Sequence, residues 1–322
     1  SRGLGDVYKR QLITGAIADR MKFSSWIVFS TAWLVVVYAP IAHWVFSPSG
    51  WLYKLGVEDF AGGTVVEANA GASAIAIAIV LGARKGWPRE SMRPHSVPFV
   101  ILGAGILWFG WFGFNAGSAL AANETSAFAF VNTNIAGAAG LLGWMGWERY
   151  KNGHPTTLGA ASGAIAGLVA ITPSCGFISP MASAFVGVAA GIVCASAITL
   201  KHRVKIDDSL DVFGVHLVAG VLGTIFIGFV SINSYNHSAT KGLLTGGGAA
   251  LLEHQLIAVI AVIAYAFMAT FLLAHLIKRT IGLRVTPDDE SRGLDLSQHM
   301  ETAYDMTTYG EGARFSSGTF KS

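Results

Sequence analysis

The segment from Pro155 to Leu200 contains no Asp, Glu, Lys or Arg, and neither does the segment from Val97 to Ala122. Stretches of that length without charge have no face to turn to water, so they must be covered by protein or by lipid. Across all 322 residues only 13% are charged, against roughly 25% in an ordinary soluble domain. Hydrophobic residues make up 52% and the mean hydropathy is +0.53. Too few charges remain to clothe a soluble enzyme, and far too much is apolar for a disordered chain. The two cysteines, Cys175 and Cys194, do not make a disulfide scaffold; one falls in a short connector and the other inside an apolar run, so no bridge between them is expected. The chain reads as an all-α polytopic membrane protein.

Apolar runs long enough to cross a hydrocarbon core cover roughly 24–46, 60–82, 97–121, 126–147, 157–174, 181–200, 212–232 and 255–277. They are continuous rather than alternating, which excludes membrane strands. Charge then alternates across the connectors. One set carries Arg20, Lys22, Arg84, Lys85, Arg89, Arg93, Arg149, Lys151, Lys201, Arg203 and Lys205, whereas the other carries only Lys54 and Lys241. Basic loops stay inside, so the first set is expected to be cytoplasmic, as is the tail from Lys278 onward. This loop placement also accounts for the net charge of +3, and no nucleic-acid partner is expected. Three domains are delimited: 1–10, a leader expected to be non-native; 11–279, the membrane domain; and 280–322, a cytoplasmic tail. The apolar stub at 11–18 is too short to span, so the chain is expected to be the later part of a longer protein. Gly159, Gly163 and Gly167, and likewise Gly187 and Gly191, stand four apart, a spacing that lets helix backbones approach closely in lipid.

An ionisable residue inside a span is a functional candidate by default. Glu67 is the one acid deep within a run, and His216 is the matching imidazole. Glu67 reads either as part of a solute path or as a neutral carboxyl hydrogen-bonded to a neighbouring helix; His216 reads either as a functional group within its span or as a packing histidine. Asp59 and Asp211 stand at span starts, where an acid caps a helix. Counting about 1.5 Å per residue from those starts leaves Glu67 and His216 about 10 Å apart along the membrane normal. The run Gly110-Trp111-Phe112-Gly113-Phe114-Asn115-Ala116-Gly117-Ser118 adds rings that can face a desolvated cation. Together these features imply a pore or carrier for a small solute. No metal site, cofactor, phosphate loop or nucleophile constellation is expected, and His202 with His216 has no ligand spacing; the chain is not expected to be an enzyme.

Several motifs resemble the ammonium transporter family (Amt/Mep/Rh), in its Amt branch. They are Asp59-Phe60-Ala61-Gly62-Gly63-Thr64-Val65-Val66, the Gly110–Ser118 run, Thr156-Thr157-Leu158-Gly159-Ala160-Ala161-Ser162-Gly163, Pro173-Ser174-Cys175-Gly176-Phe177-Ile178-Ser179-Pro180-Met181, Asp211-Val212-Phe213-Gly214-Val215-His216 and the tail piece Gly293-Leu294-Asp295 with His299. The resemblance runs in order from about Thr14 to Tyr304. It implies an eleven-helix fold, here about eight full helices plus a stub, assembled as a homotrimer with one pore per subunit. It implies ammonium or ammonia as substrate, a plasma or inner membrane location, and a PII-type signalling protein at the cytoplasmic face. On the same resemblance Glu67 and His216 are the pore pair, and Phe114 with Trp111 the outer gate. Phe46, Ser118 and Asp59 form the outer recruitment site, with Asp211 and Leu217 supporting the tenth helix. This chain departs from the common pattern in having Glu67 where many members have His, Phe46 where many have Trp, and Leu217-Val218-Ala219 where Gly-Val-Gly is frequent. The alternatives are an ammonium sensor that signals through its tail and a Rh-like gas channel.

Overall fold

The computed structural model describes residues 11–90 and 92–302. The leader at 1–10 and the end of the tail lie outside those residues. Helix α1 (Gln11–Ile17) precedes α2, a continuous helix built from Phe23–Trp33, a π-helical turn at Leu34–Tyr38, and Ala39–Phe46. There follow α3 (Trp51–Leu55), α4 (Gly63–Leu81), α5 (Val97–Gly117), α6 (Glu124–Asn152), α7 (Thr157–Ile171), α8 (Pro180–Ala197), α9 (Leu200–Val204), α10 (Phe213–Val230), α11 (Ala250–Thr280), α12 (Pro287–Arg292) and α13 (Leu294–His299). Among the described residues extended pairing is limited to one antiparallel bridge, Met21 with Arg284.

Each expected span is a helix. Six helical stretches are long and apolar enough to cross a membrane: Phe23–Leu55, Gly63–Leu81, Val97–Gly117, Pro180–Val204, Phe213–Val230 and Ala250–Thr280. The other two differ in kind. Helix α7 is apolar but only 15 residues long, and α6 buries the polar Asn132 and Thr133 along its length. The protein is therefore a multi-pass membrane protein. Cys175 and Cys194 are buried, separate thiols.

The glycine rows fix how α6, α7 and α8 cross. A Cβ at Gly167 would run into the Ala136 carbonyl, one at Gly163 into Trp144 and the Gly140 carbonyl, and one at Gly191 into Gly140 and the Trp144 amide. Backbone therefore meets backbone where the helices cross, as small residues at this spacing allow. Two apolar cores result. The first joins α1, α2, α4 and α11 through Ile13, Phe29, Trp33, Ile41, Ile77 and Val262. The second joins α5, α6, α7, α8 and α10 through Trp111, Ala136, Leu168, Val186 and Ile227. Phe114 packs against both.

The basic end of the bundle is tied by a buried network. Arg20 donates from Nε to Gly82 O, from Nη1 to Ala18 O and Ser209 Oγ, and from Nη2 to Ala16 O and Asp207 O. Burial pulls its guanidinium down to about 10, with Asp207 opposing, so it stays charged at neutral pH. Arg84 grips both carboxylate oxygens of Asp207 at 2.9 Å. Burial alone would raise Asp207, but the Arg84 donors and the Arg20 charge hold it below its ordinary value. The first part of the tail packs here as well: Val285 N donates to Arg20 O, Lys22 N to Leu283 O and Ser25 Oγ to Gly282 O. Glu290 then accepts from Arg284 and from the Lys85 amide.

Gly167→Val should overfill the α6–α7 crossing and cost about 1–3 kcal/mol, read as a lowered melting temperature in detergent by tryptophan fluorescence. Gly110→Ala, where an added Cβ meets nothing within 4 Å, should leave that temperature unchanged or raise it slightly.

Candidate functional site

The first turn of α4 is held by Asp59. Its Oδ1 accepts from the Gly62 and Gly63 amides, both at 2.7 Å. Its Oδ2 accepts from the Thr64 amide at 2.8 Å, the Thr64 hydroxyl at 2.5 Å and the Val65 amide at 3.3 Å. The exposed amides of a helix start are thus satisfied by one buried side chain. The carboxylate is spent on the chain's own donors, which is a capping arrangement. Gly62 supplies the bend with φ +120°, where a side chain would be strained. The Phe60 amide pins the segment to Pro173 O.

Residues Gly63–Ala68 then run as a π-helical turn, and Glu67 rides on it. Helix α10 opens the same way, with a π-helical turn at Phe213–Leu217 that carries His216. Such wide turns recur at functional sites because they re-aim side chains. Gly71 lies against Leu217, and Gly220 lies against Glu67 and the Gly63 carbonyl. The opening turns of two antiparallel helices therefore overlap, and between them His216 Nδ1 meets Glu67 Oε2 at 2.7 Å. The expected separation of about 10 Å is overturned. That count placed each helix start at a membrane surface, whereas α4 and α10 run antiparallel with their first turns overlapping, Gly71 against Leu217 and Gly220 against Glu67.

Glu67 is fully buried, and its Oε1 has no hydrogen-bond partner among the described residues. The His216 side chain keeps 12% exposure. A contact of 2.7 Å between an imidazole nitrogen and a carboxyl oxygen is a hydrogen bond that ties the two helices together. The second carboxyl oxygen remains able to accept an N–H from a small solute.

Around this pair the other candidates separate. Trp111 is buried, donates from Nε1 to Thr172 Oγ1 at 2.8 Å, and meets the Phe114 ring edge-on at 5.6 Å and 76°. Ser118 sits half-buried at the end of α5 and donates its hydroxyl to Phe114 O at 2.8 Å, which leaves its oxygen as an acceptor. Phe46 is half-buried against the first core. Leu217 abuts α4 at Gly71, so its bulk fills a helix contact. Asp211 does not cap α10. It adopts φ +59° and pairs with Lys201 at 2.6 Å. The cap is Asp208, whose Oδ2 accepts from the Phe213 amide at 2.6 Å. Sequence reasoning passed over Asp208, although a signal was there: Asp59 precedes Glu67 by eight residues and Asp208 precedes His216 by eight. Among the described residues no group of three or more His, Cys, Asp or Glu side chains is arranged to hold a metal.

Asp59→Ala removes every acceptor from the α4 start and should cost at least the upper range of a cap, about 2 kcal/mol. Hydrogen exchange over residues 60–68 should accelerate while α7 stays protected; unchanged exchange there would refute the capping role.

The sequence signature of the Ammonium Transporter Family matches residues 8–304. An ammonium transporter of Mycobacterium tuberculosis is 50% identical over 309 residues, covering 92% of this chain and 65% of that protein. Ammonium transporter Amt1 of Archaeoglobus fulgidus is 48% identical, covering 91% and 74%. Among solved structures, Mep2 of Candida albicans superposes with a TM-score of 0.84 at 35% identity, covering 89% of this chain and 66% of that one. A structure described as a sensor Amt protein gives 0.83 at 31% identity, covering 91% and 74%. The chain thus spans about 65% of the length of the mycobacterial relatives it matches. It belongs to the ammonium transporter family.

Proposed function

We propose that this chain carries ammonium or ammonia across the plasma or inner membrane as a transporter rather than an enzyme. The basic loops and the tail face the cytoplasm on this reading, following the positive-inside bias. Ammonium has four N–H donors and no acceptor, so its path needs aromatic faces and oxygen acceptors. Trp111 and Phe114 supply the faces, Ser118 supplies an acceptor, and Phe46 adds a ring at the outer vestibule. Asp59 contributes by holding α4, and Asp211 and Leu217 by bracing α10. Beyond the gate the solute reaches Glu67 and His216. There the free Glu67 oxygen accepts an N–H, and the shared proton of the pair moves between carboxyl and imidazole as the solute passes. The subunit assembles as a homotrimer in the bilayer and offers its basic face to a PII-type protein.

One observation carries this reading: the 2.7 Å Glu67–His216 contact, buried where the first turns of two antiparallel helices overlap. A buried carboxyl with an unpartnered oxygen is costly unless it has work to do. The family signature and the ammonium transporters of similar sequence support the same substrate.

Ammonium-triggered current in proteoliposomes tests it. The parent chain should give a saturable current, Glu67→Gln should cut it at least about tenfold, equal to about 1.4 kcal/mol of barrier, and Glu67→His should keep current with a shifted pH dependence. Ammonium binding without current in the parent, with current appearing in Glu67→His, would instead make the protein a sensor.

A further inference from the structure

The connector between α7 and α8 runs through the interior. Residues 172–178 are all buried although none of them is helical, and a buried loop needs its polar backbone groups met by its neighbours. Here they come from several sides. Asn132 of α6 donates from Nδ2 to Cys175 O and Ile178 O, both at 2.8 Å. The Phe60 amide reaches Pro173 O at 2.9 Å, and the Ile232 amide reaches Phe177 O at 2.7 Å. Gly63 lies against Pro173 with no room for a Cβ. The connector is clamped, and Thr172 at its head is a fixed point.

Thr172 is fully buried, and its hydroxyl has a single proton, which goes to Leu168 O at 2.8 Å. Towards the indole of Trp111 that oxygen is therefore an acceptor, and an indole nitrogen can only donate. The direction of the 2.8 Å bond between them is settled by the chemistry of both ends. Trp111 stands in α5, its ring edge-on to Phe114. Trp108, one turn earlier on the same helix, is half-buried, and its Nε1 has no hydrogen-bond partner among the described residues. A place on α5 does not by itself anchor an indole; Trp111 is held from the connector.

We infer that Thr172 is a positioning residue for the aromatic gate: its hydroxyl ties the Trp111 ring to the clamped connector and so sets the face that the ring offers to ammonium. This rests on the transport reading, in which Trp111 and Phe114 supply the aromatic faces. A cation is held over the face of a ring, so the orientation of the ring decides whether recruitment is strong or weak. Without the Thr172 hydroxyl the buried indole N–H loses its partner, and the ring turns to recover one. Because Pro173 also abuts Gly63, the gate ring and the helix that carries Glu67 share one reference point.

Thr172→Val keeps the branched shape and removes the acceptor, whereas Thr172→Ser keeps the acceptor. For the ammonium-triggered current, Thr172→Val should raise KM about tenfold and change the maximal current less than about twofold, because the ring acts on the cation at the gate. Thr172→Ser should stay near the parent KM. A merely structural role would lower the maximal current through lost protein and leave KM alone. Adding Thr172→Val to Trp111→Phe should leave the KM of that variant unchanged, since the hydroxyl acts through the indole. An unchanged KM in Thr172→Val, or additive effects in the double variant, would overturn the inference while leaving transport intact. The indole N–H region of the NMR spectrum in nanodiscs is independent of transport, and the Trp111 signal is assigned by its loss in Trp111→Phe. That signal should move in Thr172→Val and stay in Thr172→Ser. Where Thr172→Val does not fold, Thr172→Cys, whose thiol is a weak acceptor, carries the same comparisons. If the parent passes no current the transport reading fails, and the spectrum still decides Thr172: a Trp111 signal indifferent to loss of the hydroxyl rejects the role.

Discussion

A helix start inside an apolar bundle leaves four amides without carbonyl partners, and in that setting each one unsatisfied is costly. The site described above depends on how this demand is met. Asp59 collects the amides of residues 62–65, and Asp208 takes that of Phe213. These caps stabilise the starts of α4 and α10, which run antiparallel with their first turns overlapping. Glu67 and His216 then face one another, each on the opening turn of its own helix. The close approach at Gly71 and Gly220 brings those turns together, and the overlap of the two helix starts fixes the 2.7 Å contact.

The surroundings keep this arrangement narrow. One apolar core lies on the α2, α4 and α11 side and a second on the α5, α6, α7, α8 and α10 side, with Phe114 packed against both. The Glu67–His216 contact bridges them, since Glu67 is carried by a helix of the first and His216 by a helix of the second. At the basic end, Arg20 and Arg84 clasp Asp207 immediately before the α10 cap, and the tail closes over Arg20 and Lys22. The cap of α10 is thereby continuous with the anchorage of the tail.

Much of this was legible in the residues. Charge-free runs marked the spans, the basic loops marked one end, and the glycine rows marked the α6–α7–α8 crossings, because each is written in composition or in helical spacing. Glu67 and His216 stood out because ionisable groups inside a span are rare. Their contact was not legible. Counting residues assumes that helices are uniform and begin at surfaces, and here Glu67 and His216 both sit on wide turns whose caps are buried. Asp211 drew attention because it adjoins the apolar run, yet its backbone turns left-handed and its carboxylate leaves for Lys201. The true cap, Asp208, lay three residues earlier, where only the matching eight-residue interval pointed to it.

The wide turns at Gly63–Ala68 and Phe213–Leu217 have a consequence for how such a chain can change over generations. Successive residues of a regular helix differ by about 100° in direction. Loss of a single residue from either turn would tighten it toward ordinary helical geometry and swing Glu67 or His216 away from its partner by about that angle. Substitution of Glu67 or His216 exchanges the chemistry and keeps the aim, whereas insertion or deletion destroys the aim whatever the side chain. Sequence length between each acid cap and the Glu67 or His216 that follows it is therefore constrained by geometry, separately from the chemistry of the side chain it aims.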